Sequence, residues 1–134
     1  MTKKQPTLFE SAVARLYQED KFSPEKYQQV RQSKVFMERF FCDKIELDQL
    51  ANAAHMSRYH YVRVFQQMYG MTPRLYLRDL RVSKAKLLLK QGKPITQVCL
   101  DVGYESLPTF SSIFKKCTGT APKAYQKKHY RNLE

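Results

Sequence analysis

In the stretch SRYHYVRVFQQMYG, Tyr59, Val62, Arg63 and Gln66 stand at i, i+3, i+4 and i+7, with Arg58 at one rim. On a helix that spacing brings the four side chains onto one face. Arg63 presents a planar fork of N–H donors that suits two adjacent acceptors, such as guanine O6 and N7. Gln66 donates and accepts at once, as the N6 and N7 edge of adenine requires, and Val62 suits a thymine methyl. Tyr59 can stack or bond to a phosphate oxygen. This is recognition chemistry rather than catalysis. The chain has no glycine-rich phosphate loop and no nucleophile motif, and His55, His60 and His129 form no metal spacing. Cys42, Cys99 and Cys117 show no C-x-x-C pair. No catalytic residue, metal or cofactor is expected, and the thiols read as reduced and mostly buried, with redox sensing as the alternative.

For those four residues to share an outward face, the opposite face must be core, and Tyr61, Val64, Phe65 and Met68 supply it. Ser57 caps the helix and Gly70 ends it. Before it, Leu47, Leu50, Ala51 and Ala54 recur at helical spacing, so the segment reads as two short helices around a tight turn, a helix-turn-helix. The unit is written twice. An offset of 49 residues carries Phe65 onto Phe114, Ser57 onto Ser106, Gly70 onto Gly119, Pro73 onto Pro122 and Tyr76 onto Tyr125. It also carries Tyr61 onto Phe110, Val64 onto Ile113, Arg74 onto Lys123 and Ala54 onto Gly103. In the second copy Val98, Cys99 and Val102 share a face, Gly103 marks the turn, and a helix capped by Ser106 runs to about Thr118. Its face equivalent to the first is Pro108, Ser111, Ser112 and Lys115, with Lys116 nearby. Small hydroxyls and lysines favour phosphate contacts, water-mediated readout or shape recognition over bidentate base contacts.

Between the copies, Pro73 suits a first helical position and Gly92 a stop, so residues 73 to about 90 read as a stiff spacer helix about 26 Å long. Leu77, Arg81, Ala85 and Leu88 follow one stripe of it, and Tyr76, Leu80 and Leu87 a neighbouring one. Upstream, a helix opening at Ser23 and Pro24 should cover the first copy with Tyr27, Val30, Met37, Phe40 and Phe41. Leu8, Phe9, Ala12, Val13 and Leu16 form a further amphipathic stretch, either packed on the same domain or docking a partner or sensor domain. No stretch alternates as a strand does. The fold class expected is all-α, two helix-turn-helix subdomains joined by a long linker helix. The divisions are 1–22 (extension), 23–72 (first subdomain), 73–91 (linker) and 92–134 (second subdomain and basic tail).

Twenty-four Lys and Arg against twelve Asp and Glu leave a formal charge of +12 on 134 residues. Such an excess points to a polyanion: nucleic acid, an anionic membrane surface or an acidic protein. No apolar run approaches a membrane span and the amino terminus lacks signal-peptide features, so a cytoplasmic location is expected.

The anchors LDQLA, SRYHYVRVF, GMTPRLYLRDLRVSKAKLLL and ITQVCLDVGYESLPTFSSIFKKCTGTAPKAY resemble the DNA-binding domain of the AraC/XylS family of bacterial transcription regulators, from about Pro24 to Gln126. The resemblance implies two helix-turn-helix subdomains on a long helix. By position it implies DNA contacts from Tyr59, Val62 and Arg63 and from Leu107, Pro108, Thr109, Ser111 and Ser112. Many members carry arginine where this chain has Ser112, and polar residues at the positions of Leu107 and Pro108, so less direct base readout is expected of the second helix. The resemblance further implies a promoter-bound activator that contacts RNA polymerase and resides with the nucleoid. A sequence-nonspecific nucleoid or RNA-binding protein is the competing reading. Most members also carry an effector-binding or dimerisation domain, for which the residues before Pro24 are too few; a stand-alone member and a piece of a longer chain both stay open.

Overall fold

The structure is a computed structural model that describes residues 24–130. The amphipathic stretch from Leu8 to Leu16 lies outside the described residues. Seven α-helices and no strand are found among them: α1 (Pro24–Phe40), α2 (Leu47–Ala53), α3 (Arg58–Tyr69), α4 (Pro73–Lys90), α5 (Ile95–Asp101), α6 (Leu107–Thr118) and α7 (Pro122–Tyr130). The fold is all-α.

Two apolar clusters organise these helices. The first joins Val30 and Met37 of α1 to Leu50 and Ala51 of α2 and to Tyr61, Val64 and Phe65 of α3. The second is built from Val98 and Cys99 of α5, Phe110 and Phe114 of α6 and Tyr125 of α7. Helix α4 serves both: Tyr76, Leu77 and Leu80 pack on the first cluster, whereas Val82, Ala85, Leu88 and Leu89 belong to the second. Its 18 residues span about 27 Å, so both ends are anchored in different cores. Leu87, expected on a packed stripe, is instead 49% exposed, because the face turned to the second core runs through Ala85, Leu88 and Leu89. Phe40 likewise faces outward, its ring 4.9 Å from that of Phe36. At the middle of α1 the buried polar residue is Ser33, whose hydroxyl donates to the Val30 carbonyl at 2.6 Å and lies 2.6 Å from the Tyr61 phenol. Farther along α1, Glu38 pairs with Lys34 at 2.8 Å and accepts from the Tyr76 hydroxyl, which pins α1 to the start of α4.

The boundaries of the second helix in each copy follow from local chemistry. Ser57 Oγ accepts from the His60 N–H at 3.1 Å, and Ser106 Oγ accepts from the Thr109 N–H at 3.4 Å. Each satisfies a donor that a helix start leaves without an internal partner. Gly70 and Gly119 close the helices in the left-handed region, φ 77° and 86°, with their N–H groups on the carbonyls of Gln66 and Lys115. Thr72 caps α4 through the Leu75 N–H, and Pro73 follows at its first position.

The two copies are out of step by one residue in the turn. Met56 N–H donates to the Ala51 carbonyl at 2.9 Å, and the same bond recurs from Tyr104 to Cys99 at 3.0 Å, an offset of 48. The left-handed turn residue is His55 (φ 57°) in the first copy and Gly103 (φ 101°) in the second. Only from the serine caps onward does the offset become 49. Ala54 therefore pairs with Val102, not with Gly103, and the second turn carries one residue more.

Candidate nucleic-acid interface

Burial of Tyr61, Val64 and Phe65 fixes the rotation of α3 about its axis. The opposite face leaves Tyr59 74% exposed and Gln66 exposed, with Val62 and Arg63 half-buried at its flanks. The Arg63 guanidinium lies 5.7 Å from the Tyr59 ring centroid, a cation–π contact that restrains the fork without using its donors. Arg58 has a different situation. Its Nε and Nη2 donate to the two carboxylate oxygens of Asp48 at 2.7 and 2.8 Å. The pair raises the Arg58 pKa and lowers that of the Asp48 carboxyl, in both cases chiefly through these hydrogen bonds. It also ties the start of α3 to α2. Asp48 escaped the sequence reading because a partner ten residues away on another helix has no periodic signature.

On α6, Phe110 and Phe114 are fully buried. Leu107, Pro108, Thr109, Ser112, Lys115 and Lys116 are exposed, and Ser111 is half-buried. Lys115 and Lys116 occupy the last turn, where the carbonyl end of a helix favours cations. Neither α3 nor α6 contains a carboxylate, although the chain has twelve. A helix face that meets only water usually mixes signs; two faces stripped of acid suit a polyanion.

Other chemistry is not assembled among the described residues. No three His, Cys, Asp or Glu side chains gather to hold a metal ion, and no helix is long and apolar enough to cross a membrane. The three thiols are free. Only Cys99 is buried, whereas Cys42 and Cys117 are exposed, against the expectation of mostly buried cysteines. Desolvation pushes the Cys42 and Cys99 thiols up, away from the reactive thiolate.

A protein-family profile described as a helix-turn-helix domain matches residues 50–128, from α2 into α7. A transcriptional regulator from Chromobacterium violaceum, described as having an AraC-type DNA-binding domain, superposes with a TM-score of 0.67 at 28% identity, covering 77% of this chain and 93% of that one. The chain belongs to the AraC-type helix-turn-helix family. It is also 34% identical over 92 residues to the bifunctional transcriptional activator/DNA repair enzyme AdaA of Bacillus subtilis, covering 68% of this chain and 44% of AdaA. The DNA-binding domain of AdpA, solved with a target DNA, shares the fold, with a TM-score of 0.72 at 24% identity over 78% of this chain and 95% of that one. The chain spans less than half the length of the curated relatives it matches.

Proposed function

We propose that this chain is a sequence-specific double-stranded DNA-binding transcription regulator, an activator, and not an enzyme. The carrying observation is the pair of capped helices, each locked by an aromatic core and each presenting an outward face without a carboxylate. The chain works as two subdomains, 23–72 and 92–134, on the linker 73–91, and inserts α3 and α6 into successive major-groove segments about 34 Å apart, one turn of DNA. Arg63 and Gln66 read base edges, Val62 meets a thymine methyl and Tyr59 stacks or holds a phosphate. Arg58, once released from Asp48, contacts the backbone. On α6, Leu107, Pro108, Thr109, Ser111 and Ser112 line the groove, and Lys115 and Lys116 hold phosphates.

At the promoter the regulator meets RNA polymerase, in the cytoplasm and on the nucleoid. The segment bearing Leu8, Phe9, Val13 and Leu16 docks a sensor domain or partner. Membership of the family, the net charge of +12 and the geometry of α3 support this reading. Competition between duplexes selected by the protein, random duplex and structured RNA, at one physiological salt concentration, tests it. A preference for the selected duplex of about a thousandfold or more is expected, and a ratio near one contradicts it.

A further inference from the structure

Two reading helices act on one duplex only if their separation and relative rotation are held. A stiff α4 holds the separation of its ends, but rotation of each unit against it depends on side contacts. Such a contact exists where the turn between α5 and α6 meets the end of α1. A Cβ added at Gly103 would lie 2.9 Å from the Cys42 carbonyl oxygen, 3.1 Å from that of Phe41 and 3.1 Å from Arg81 Nε. The backbone of the second unit is thus pressed against the first.

Arg81, in the middle of α4, closes this junction. Its Nε donates to the Phe41 carbonyl at 2.7 Å and its Nη2 to the Asp43 carbonyl at 2.9 Å. Both acceptors are backbone carbonyls just past the end of α1, outside its helical hydrogen bonding, and a guanidinium fork can reach the two together. The same guanidinium lies 5.3 Å from the Tyr104 ring centroid. Tyr104 in turn is held in the second unit by its N–H bond to Cys99 and by a ring contact with Phe110 at 5.6 Å. One side chain therefore touches α1's end, belongs to α4 and stacks on the turn that leads into α6. The repeat departs from its own pattern at this point. The residue equivalent to Tyr104 by backbone bonding is Met56, which is 7% exposed in its own core, and the extra residue of the second turn is Glu105, between Tyr104 and the Ser106 cap.

We infer that Arg81 is a positioning residue that sets the rotation of α6 relative to α3, and through it the spacing between the two blocks of the DNA site. The inference rests on the proposed reading by both helices, so its test has one arm without DNA. Spin labels are placed on native Cys117 and on a Gln67→Cys substitution, with Cys42→Ser to silence the other exposed thiol; Cys99 is 2% exposed. The parent chain should give a narrow distance distribution and Arg81→Met a broad one. In the second arm, bipartite duplexes selected by the parent chain are lengthened or shortened by one base pair between blocks. The parent should lose about tenfold in affinity and Arg81→Met less than about threefold, while both bind a single first block within about twofold of each other.

Arg81→Lys, which keeps the charge and stem but loses the fork, should act in the same direction and carries the test if Arg81→Met fails to fold by thermal melting. A narrow distribution and an unchanged spacing profile in the arginine variant would overturn the inference. A parent chain indifferent to spacing would contradict the two-helix reading, and the distance arm would still decide the role of Arg81.

Discussion

Arg63 and Lys115 sit on matching faces of α3 and α6 but offer different chemistry. Arg63→Ala should weaken binding by about 1–3 kcal/mol and relax preference at one base position. Lys115→Ala should weaken binding evenly across sites and reduce the slope of log affinity against log salt by about one; affinities over a mutated site library at several salt concentrations separate the two. Asp48→Ala frees Arg58, so affinity should rise a few-fold and the salt slope steepen, whereas lower affinity with an unchanged slope would show that the ion pair serves only to seat α3. Tyr61 carries a pH prediction. Burial pushes its pKa up to about 12 from an ordinary value of 10.0, so the folded chain keeps a proton that the unfolded chain loses from pH 10 upward. Stability from this group is intact below pH 10 and falls as pH rises towards 12, by no more than about 1.4 kcal/mol per pH unit. Tyr61→Phe should cost about 1 kcal/mol near pH 8 through the lost bond to Ser33. It should also flatten the decline above pH 10, as urea melts at pH 8 and 10.5 would show.

At the scale of the element, the serine caps and glycine closures are the local determinants. Ser57→Ala and Ser106→Ala should each cost about 1 kcal/mol. Gly119→Ala should cost a similar amount, about 1–2 kcal/mol, because the left-handed backbone there, at φ 86°, is strained for any residue with a Cβ. Denaturant melts of the single variants check both. These features were legible in the chain because caps, closures and Pro73 act within four residues of themselves. The outward set on α3 was legible for a related reason, since the spacing of Tyr61, Val64 and Phe65 defines the helix's buried side. The misreadings have two physical origins, the likeness of small residues in a turn and contacts distant along the chain. The one-residue excess in the second turn was hidden because Ala54 and Gly103 are both small. Leu87 and Phe40 looked like core by type, but burial is decided by which neighbour arrives. Arg81 was placed on an apolar stripe, and its real partners are carbonyls some forty residues away, which no periodicity announces.

For the whole molecule, the net charge of +12 and the acid-free helix faces predict strongly salt-dependent binding. With about six phosphate contacts, affinity should fall roughly a thousandfold between 50 and 200 mM salt, and a weak dependence would argue against backbone contacts on that scale. Two cores sharing α4 give the molecule one frame and two outward faces, the first suited to bases and the second to phosphates and shape. The most direct measurement of this division is selection of bound duplexes from random DNA, performed in parallel with the parent chain, Arg63→Ala and Lys115→Ala. Two sequence blocks centred about ten base pairs apart are expected, with Arg63→Ala erasing preference in one block and Lys115→Ala leaving both motifs in place. A single block, or equal loss of preference from the two substitutions, would contradict it.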